Sequence, residues 1–399
     1  MAPDLTPDLT PDPTPDPTPD KDRDPPQAGA PRTADPRLAG VAPAQRLREM
    51  IADGIIAPAP GAGPIPSALV QPASLDLRLG AKAYRVRASF LAGAHATVAE
   101  RLTRFAMHEI DLTDGAALEK GCVYVVPLQE RLALPSDVAA AANAKSSSGR
   151  LDLFTRLIAD RGAEFDRVEA GYHGPLYAEI SPRSFSVLVR PGDRLNQIRF
   201  RRGEGMLDDD ALRALQARER LVDVEARIDQ GLAFSVDLKP RGDAPVGWRA
   251  RQHAGLIDLA RIGAYDPAEF WEPVFPRAGG GIILDPGAFY ILVSRESVHV
   301  PPAYAAEMAP YLAMAGEFRV HYAGFFDPGF GHSAAGGAGS KGVLEVRCFE
   351  APFALEHGQQ VGRLVYEPMA EVPDILYGAA LGSNYQGQGL KLAKQFKAG

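Results

Sequence analysis

The chain has 399 residues, of which 43 are Lys or Arg and 50 are Asp or Glu, giving a formal charge of −7. This length allows two or three folding units, and the acidic balance excludes a general nucleic-acid binder while leaving room for one local basic pocket. Two cysteines, Cys122 and Cys348, exclude a disulfide framework and a Cys-rich zinc centre, so a reducing cytoplasm is the expected compartment.

Residues 1–36 repeat Thr-Pro-Asp, hold 11 of the 35 prolines and carry a charge of −5. Such a segment has little to bury and predicts a solvated tail. It opens Met1-Ala2-Pro3-Asp4, without the basic and apolar regions of a signal peptide. No later run approaches the roughly 18 apolar residues of a membrane span, so no membrane partner is expected. Leu47, Met50 and Ile51 then fall at helical spacing, with Gly54 as a stop. Beyond it the texture is short period-two runs, such as Ser74-Leu75-Asp76-Leu77-Arg78-Leu79, punctuated by Gly and Pro. That pattern predicts an all-β fold, a sandwich or barrel with a few short helices.

The chain also resembles itself. At a constant spacing of 166, Gly121 matches Gly287, Tyr124 Tyr290, Glu130 Glu296, Pro135 Pro301, Glu179 Glu345 and Gly192 Gly358. This predicts two tandem β domains, 40–203 and 230–370. The connector 204–229 reads as helical, with Asp208-Asp209-Asp210 at its N-terminus and Leu212 and Leu215 on one face. The tail 371–399 is rich in Gly and Gln, and on composition alone would be mobile. Gly336-Gly337-Ala338-Gly339-Ser340-Lys341 has the wrong order for a phosphate loop and reads as a flexible hairpin insertion.

The sharpest chemical signal is Lys145-Ser146-Ser147-Ser148-Gly149-Arg150, which joins two cations to three hydroxyls. The cations can neutralise phosphate charge, and the hydroxyls can bond its oxygens; a solvated turn is the plainer alternative. Glu179 lies in a strand-like run where Leu176, Ala178 and Ile180 alternate with Tyr177, Glu179 and Ser181. It is either a surface or paired carboxylate or one held for chemistry. No His-x-Glu with Cys-x-x-Cys and no Gly-x-Ser-x-Gly is present, which sets aside zinc deaminases and the hydrolase elbow.

Taken in order, these motifs resemble the dCTP deaminases of the trimeric dUTPase superfamily. Lys145–Arg150 is similar to their Arg-Ser-Ser-x-Ala-Arg motif. Val168-Glu169-Ala170-Gly171-Tyr172-His173-Gly174 is similar to their nucleoside segment, Ile-Asp-Pro-Gly-Trp-x-Gly. Glu179 falls ten residues after Glu169, where the family carries its catalytic Glu. Val70–Gly80 resembles the opening strand and Pro191–Ile198 the Gly-Asp-Arg segment. Tyr377 and Tyr385-Gln386-Gly387-Gln388-Gly389 resemble the tail that closes over nucleotide. Lys145, Glu169 and Tyr172 stand where the family has Arg, Asp and Trp, and Asn384 where its tail often has Lys.

The resemblance implies hydrolytic deamination of dCTP to dUTP and ammonia, with Glu179 as general base and Ser146 and Arg150 orienting water and stabilising the addition product. It implies substrate contacts from Lys145, Ser147, Ser148, Gly149, Glu169, Tyr172, Tyr177, Ala178, Gln197, Tyr377, Asn384 and Gln388. Mg²⁺ is implied on the triphosphate, with no zinc and no protein-bound metal. A diphosphatase acting on dUTP, alone or coupled to deamination through Glu169, and an inactive nucleotide-binding regulator are the alternatives. The second copy carries no hydroxyl pair or cation across Ala309–Gly316, yet Phe326-Asp327-Pro328-Gly329-Phe330 resembles the nucleoside segment. A degenerate copy that supports assembly is expected; a shared site, with Glu345 facing Ser146 and Arg150, is the alternative. A homotrimer of two-domain chains is the simplest closed assembly.

Overall fold

In the computed structural model the described residues are 39–398, except 204, 279, 311–317, 322–323 and 379–385. The acidic repeat at 1–36 and Asn384 therefore lie outside them. Strands dominate, and the helices are short, as the period-two runs predict. The longest helix, Asp209–Glu219, starts where Asp208 accepts a hydrogen bond from the Ala211 amide, and it buries Leu212 and Leu215.

Before this helix the strands form two principal sheets. One contains Leu75–Arg78, Val138–Ala144 and Arg194–Arg202; the other contains Val123–Ala133, His173–Pro182 and Leu153–Ala159. After it the pattern recurs. Leu232–Ser235, Tyr304–Pro310 and Gln360–Pro368 share one sheet, and Phe289–Val298 pairs with Ser340–Cys348 in another.

Tyr124 and Tyr290, and Glu130 and Glu296, which are 166 apart, make similar local bonds in the two regions. The Tyr124 hydroxyl accepts from the Glu119 amide at 3.0 Å, and the Tyr290 hydroxyl accepts from the Asp285 amide at 2.9 Å. Glu130 accepts from the Arg78 amide, and Glu296 accepts from the Ser235 amide, each at 2.8 Å. Glu179 sits opposite Val125, and Glu345 sits opposite Ile291.

The two regions do not keep separate cores. Along Ser340–Cys348, Leu344, Val346 and Cys348 face the core of the second region. Val343 and the neighbouring Ile291 instead join the core of the first, together with Trp271 and Phe289. The register thus sends one face of this strand into its own sheet packing and the other into its neighbour. On that outward face, the half-buried Arg347 forms an ion pair with the buried Asp152 of the first region.

The C-terminal segment is anchored, contrary to the expectation from composition. Phe396 is buried against Tyr265, Phe270 and Trp271 at ring separations of 5.5 to 6.3 Å. The Tyr265 amide donates to the Gln395 carbonyl at 3.1 Å. Buried aromatic area of this kind outweighs the ordering cost of a few polar residues. The glycine-rich hairpin is also packed rather than free. A Cβ on Gly331 would lie 2.0 Å from the Val298 carbonyl oxygen, and one on Gly337 would lie 2.5 Å from the Gly331 backbone. The Gly331 amide donates to Gln386 at 3.0 Å, so the tail docks on this loop.

Candidate active site

Between the two regions lies a cavity of about 290 Å³. The first region supplies Lys145, Ser146, Ser147, Arg150 and Gln197; the second supplies Phe326, Asp327 and Glu345; the tail supplies Tyr377, Gln388 and Lys394. The hexapeptide folds as a single helical turn, Ser146–Gly149, held by the Lys145 amide on the Leu195 carbonyl at 2.8 Å. Ser148 turns inward, where its hydroxyl donates to Leu195 at 3.2 Å, and Gly149 is buried beside it. Arg150 reaches the tail, donating to Gln388 Oε1 at 2.8 Å and to the Lys391 carbonyl at 2.9 Å.

One end of the cavity is cationic. Lys145 pairs with the buried carboxylate of Asp76, and Arg194 lies 3.5 Å from the same group. Lys394 joins them from the tail; burial pushes its ammonium below the usual lysine range, and repulsion from Arg194 and Lys145 adds to this. An adjoining recess of about 150 Å³ is lined by the same three cations with Ser147 and Ser148. Cations left crowded in this way are suited to a multiply charged anion.

Two further carboxyls line the same cavity. Glu345 is buried in the wall, and burial pushes its carboxyl up to about 8 against the opposing pull of Arg150. Asp327 is likewise raised by burial, with Arg199 and Lys145 opposing. The Phe326 and Phe330 rings meet edge-to-face at 5.1 Å, and Tyr377 lies 5.6 Å from Phe330. This is an apolar wall with two carboxyls and a guanidinium, able to hold a flat ring and move a proton at its edge.

Several expected site residues are elsewhere. Glu179 does not reach the cavity. Its strand turns Leu176, Ala178 and Ile180 into the core, so Tyr177 and Glu179 face the opposite way. There Arg156, directly opposite in register, holds the carboxylate at 2.5 and 3.2 Å, and Arg156 stacks 3.5 Å over Phe165. Tyr177 packs with Phe90, Val98 and Leu102, and Ala178 is core. Glu169 is 73 % exposed in its side chain and pairs with Arg167 at 3.0 Å. The Tyr172 hydroxyl donates to the Pro175 carbonyl at 2.6 Å and braces its own hairpin.

Sequence reasoning left Asp76, Arg194, Lys394, Asp327 and Glu345 out of the expected site. Asp76 and Arg194 stand in the motif segments already singled out. Asp327 and Glu345 were visible as the shared-site alternative. Lys394 carries no local signal.

Comparison with known proteins agrees with this architecture. The family described as 2′-deoxycytidine 5′-triphosphate deaminase matches through its N-terminal domain at residues 38–204 and its C-terminal domain at 208–396. A dCTP deaminase from Natronomonas pharaonis is 29 % identical over 181 residues, covering 42 % of this chain and 88 % of that protein. A dUMP-forming dCTP deaminase from Beutenbergia cavernae is 30 % identical over 140 residues, covering 34 % and 68 %. The crystal structure of 2′-deoxycytidine 5′-triphosphate deaminase from Agrobacterium tumefaciens superimposes with a TM-score of 0.79 at 54 % identity, covering 83 % of this chain and 99 % of that one. The chain belongs to the 2′-deoxycytidine 5′-triphosphate deaminase family.

Proposed function

We propose that the chain converts dCTP and water to dUTP and ammonia in a site built from both regions, with Glu345, rather than Glu179, as the proton carrier. The observation that carries this is one cavity holding Ser146, Arg150 and the buried Glu345. Hydrolytic deamination requires water to add at C4 of cytosine and N3 to gain a proton. A second proton must then pass from the new hydroxyl to the departing amino group. A carboxyl raised to about 8 is protonated near neutral pH, so it can donate to N3 and then, as carboxylate, accept from the attacking water. Ser146 and Arg150 border the same volume and can orient the water and stabilise the tetrahedral adduct. The aromatic wall and Asp327 suit the nucleoside, and Lys145, Arg194 and Lys394 suit the triphosphate. Mg²⁺ is read as part of the substrate, carried on the phosphates, because Asp76 at that end is already engaged by Lys145 and Arg194.

Both halves of this site come from one chain, so we propose that no second chain is needed to complete it and that a trimer is not a catalytic requirement. The repeated hydrogen bonds support two tandem copies of one ancestral unit. The nucleotide substrate and the presence of only two cysteines, far apart in sequence, support a cytoplasmic site of action. No described helix is long and apolar enough to cross a membrane.

Incubation with dCTP and Mg²⁺, followed by separation of nucleotides and quantification of ammonia, tests the reaction. Equal amounts of dUTP and ammonia support the proposal, and absence of ammonia contradicts it. The name of the Beutenbergia cavernae relative favours a second reading, in which dUTP is hydrolysed onward to dUMP. Release of pyrophosphate in the same incubation would establish it.

A further inference from the structure

The strand Arg194–Arg202 alternates, sending Ile198 and Phe200 into the core and Gln197, Arg199 and Arg201 towards the second region. Gln197 lines the cavity, and Arg199, next along this stripe, is 2 % exposed. The groups it touches belong to the second region. Its Nη2 lies 3.5 Å from Asp327 Oδ1, its Nη1 donates to the Ala306 carbonyl at 3.3 Å, and its guanidinium covers the Phe325 ring at 4.0 Å. Glu367 is also within 3.7 Å, but that carboxylate already has Arg201 at 2.9 Å. Among the described residues Arg199 is the only ion-pair partner of Asp327.

We propose that Arg199 is a positioning residue for the deoxyribose: reaching across from the first region, it keeps the Asp327 carboxylate aimed into the cavity, where it accepts a hydrogen bond from the sugar 3′-hydroxyl. This rests on the reading that Asp327 lies beside the bound nucleoside. An asymmetry supports it. At the spacing of 166 the counterpart of Arg199 is Val365, and the buried cation on that stripe, Arg363, pairs instead with Asp229 at 3.4 Å. The first region's counterpart of Asp327 is Glu169, an exposed carboxylate paired with its neighbour Arg167. Of these two carboxylates, the one that lines the cavity is the one with a buried cation from the other region beside it. A buried carboxylate without its cation loses both its charge and its fixed direction.

The test measures kcat and KM of the full chain with dCTP and with its 2′,3′-dideoxy analogue, in the wild type, Arg199→Met, Arg199→Lys and Asp327→Asn. Arg199→Met should raise KM for dCTP by about tenfold or more, with kcat within about threefold. Its preference for dCTP over the dideoxy analogue should collapse, and Arg199→Lys should restore part of it. A purely structural Arg199 would lower the melting temperature and leave the preference intact, which would overturn the proposal. If Arg199→Met does not fold, Arg199→Lys decides, since an unchanged preference there is equally contrary. Asp327→Asn separates the two layers. Loss of preference in Asp327→Asn but not in the Arg199 variants rejects the positioning role, whereas retained preference in Asp327→Asn rejects the sugar contact itself.

Discussion

Glu179 and Glu345 occupy corresponding positions on corresponding strands, each on the face that turns away from its own core. Their surroundings are opposite. Over Glu179 lies the segment leading through the helix Val98–Phe105, which Thr97 and Glu100 start with reciprocal side-chain bonds. Its residues Phe90, Val98 and Leu102 pack beside Tyr177, and Ser89 accepts a hydrogen bond from Arg156. Glu345 is covered instead by the other region of the chain, which presents Ser146 and Arg150 across a cavity. A carboxylate becomes a candidate proton carrier here through what packs over its strand, and the residues around it in sequence do not reveal that.

Removing Arg150 should have the largest effect on turnover. Arg150→Met takes away the charge facing the adduct and the tail bond to Gln388, and kcat should fall by about 10²–10³-fold in steady-state ammonia release. A loss under about threefold would remove the Lys145–Arg150 turn from the chemistry. Lys394→Ala should come next. It should raise KM for dCTP by about tenfold while barely changing KM for deoxycytidine, because the cationic end contacts only phosphate. Equal effects on both would place Lys394 elsewhere.

Thermal unfolding sharpens the contrast by smaller amounts. Glu179→Gln leaves the half-buried Arg156 without its ionic partner and should cost about 1–3 kcal/mol. Glu345→Gln should act differently with pH. The folded carboxyl titrates near 8 and the unfolded one near 4.5, so its contribution to stability is fully present below about 4.5 and is lost as pH rises through 8. The variant should therefore match the wild type at acid pH and become relatively more stable towards pH 9. A stability difference independent of pH would mean that Glu345 is not buried as described.

The all-β class was legible because it rests on period-two alternation and on turn residues at short intervals. The Lys145–Arg150 turn was legible because its chemistry is contiguous. The position of Glu179 outside the cavity was not legible because the motif around it is local, whereas its strand face is covered by Phe90, Val98 and Leu102 far upstream. The anchored tail was missed because composition weighed its Gly and Gln, while the deciding contact is the single ring of Phe396 in an aromatic pocket assembled from residues 265–271. Lys394 follows from that anchor and has no signal of its own.

The turnover numbers of Glu345→Gln and Glu179→Gln, measured side by side with saturating dCTP, decide which carboxylate carries the proton. Glu345→Gln should still bind dCTP and lose about 10²–10⁴-fold in kcat, while folded Glu179→Gln stays within about threefold of the wild type. The reverse pattern, with Glu179→Gln inactive and Glu345→Gln turning over normally, would contradict the account.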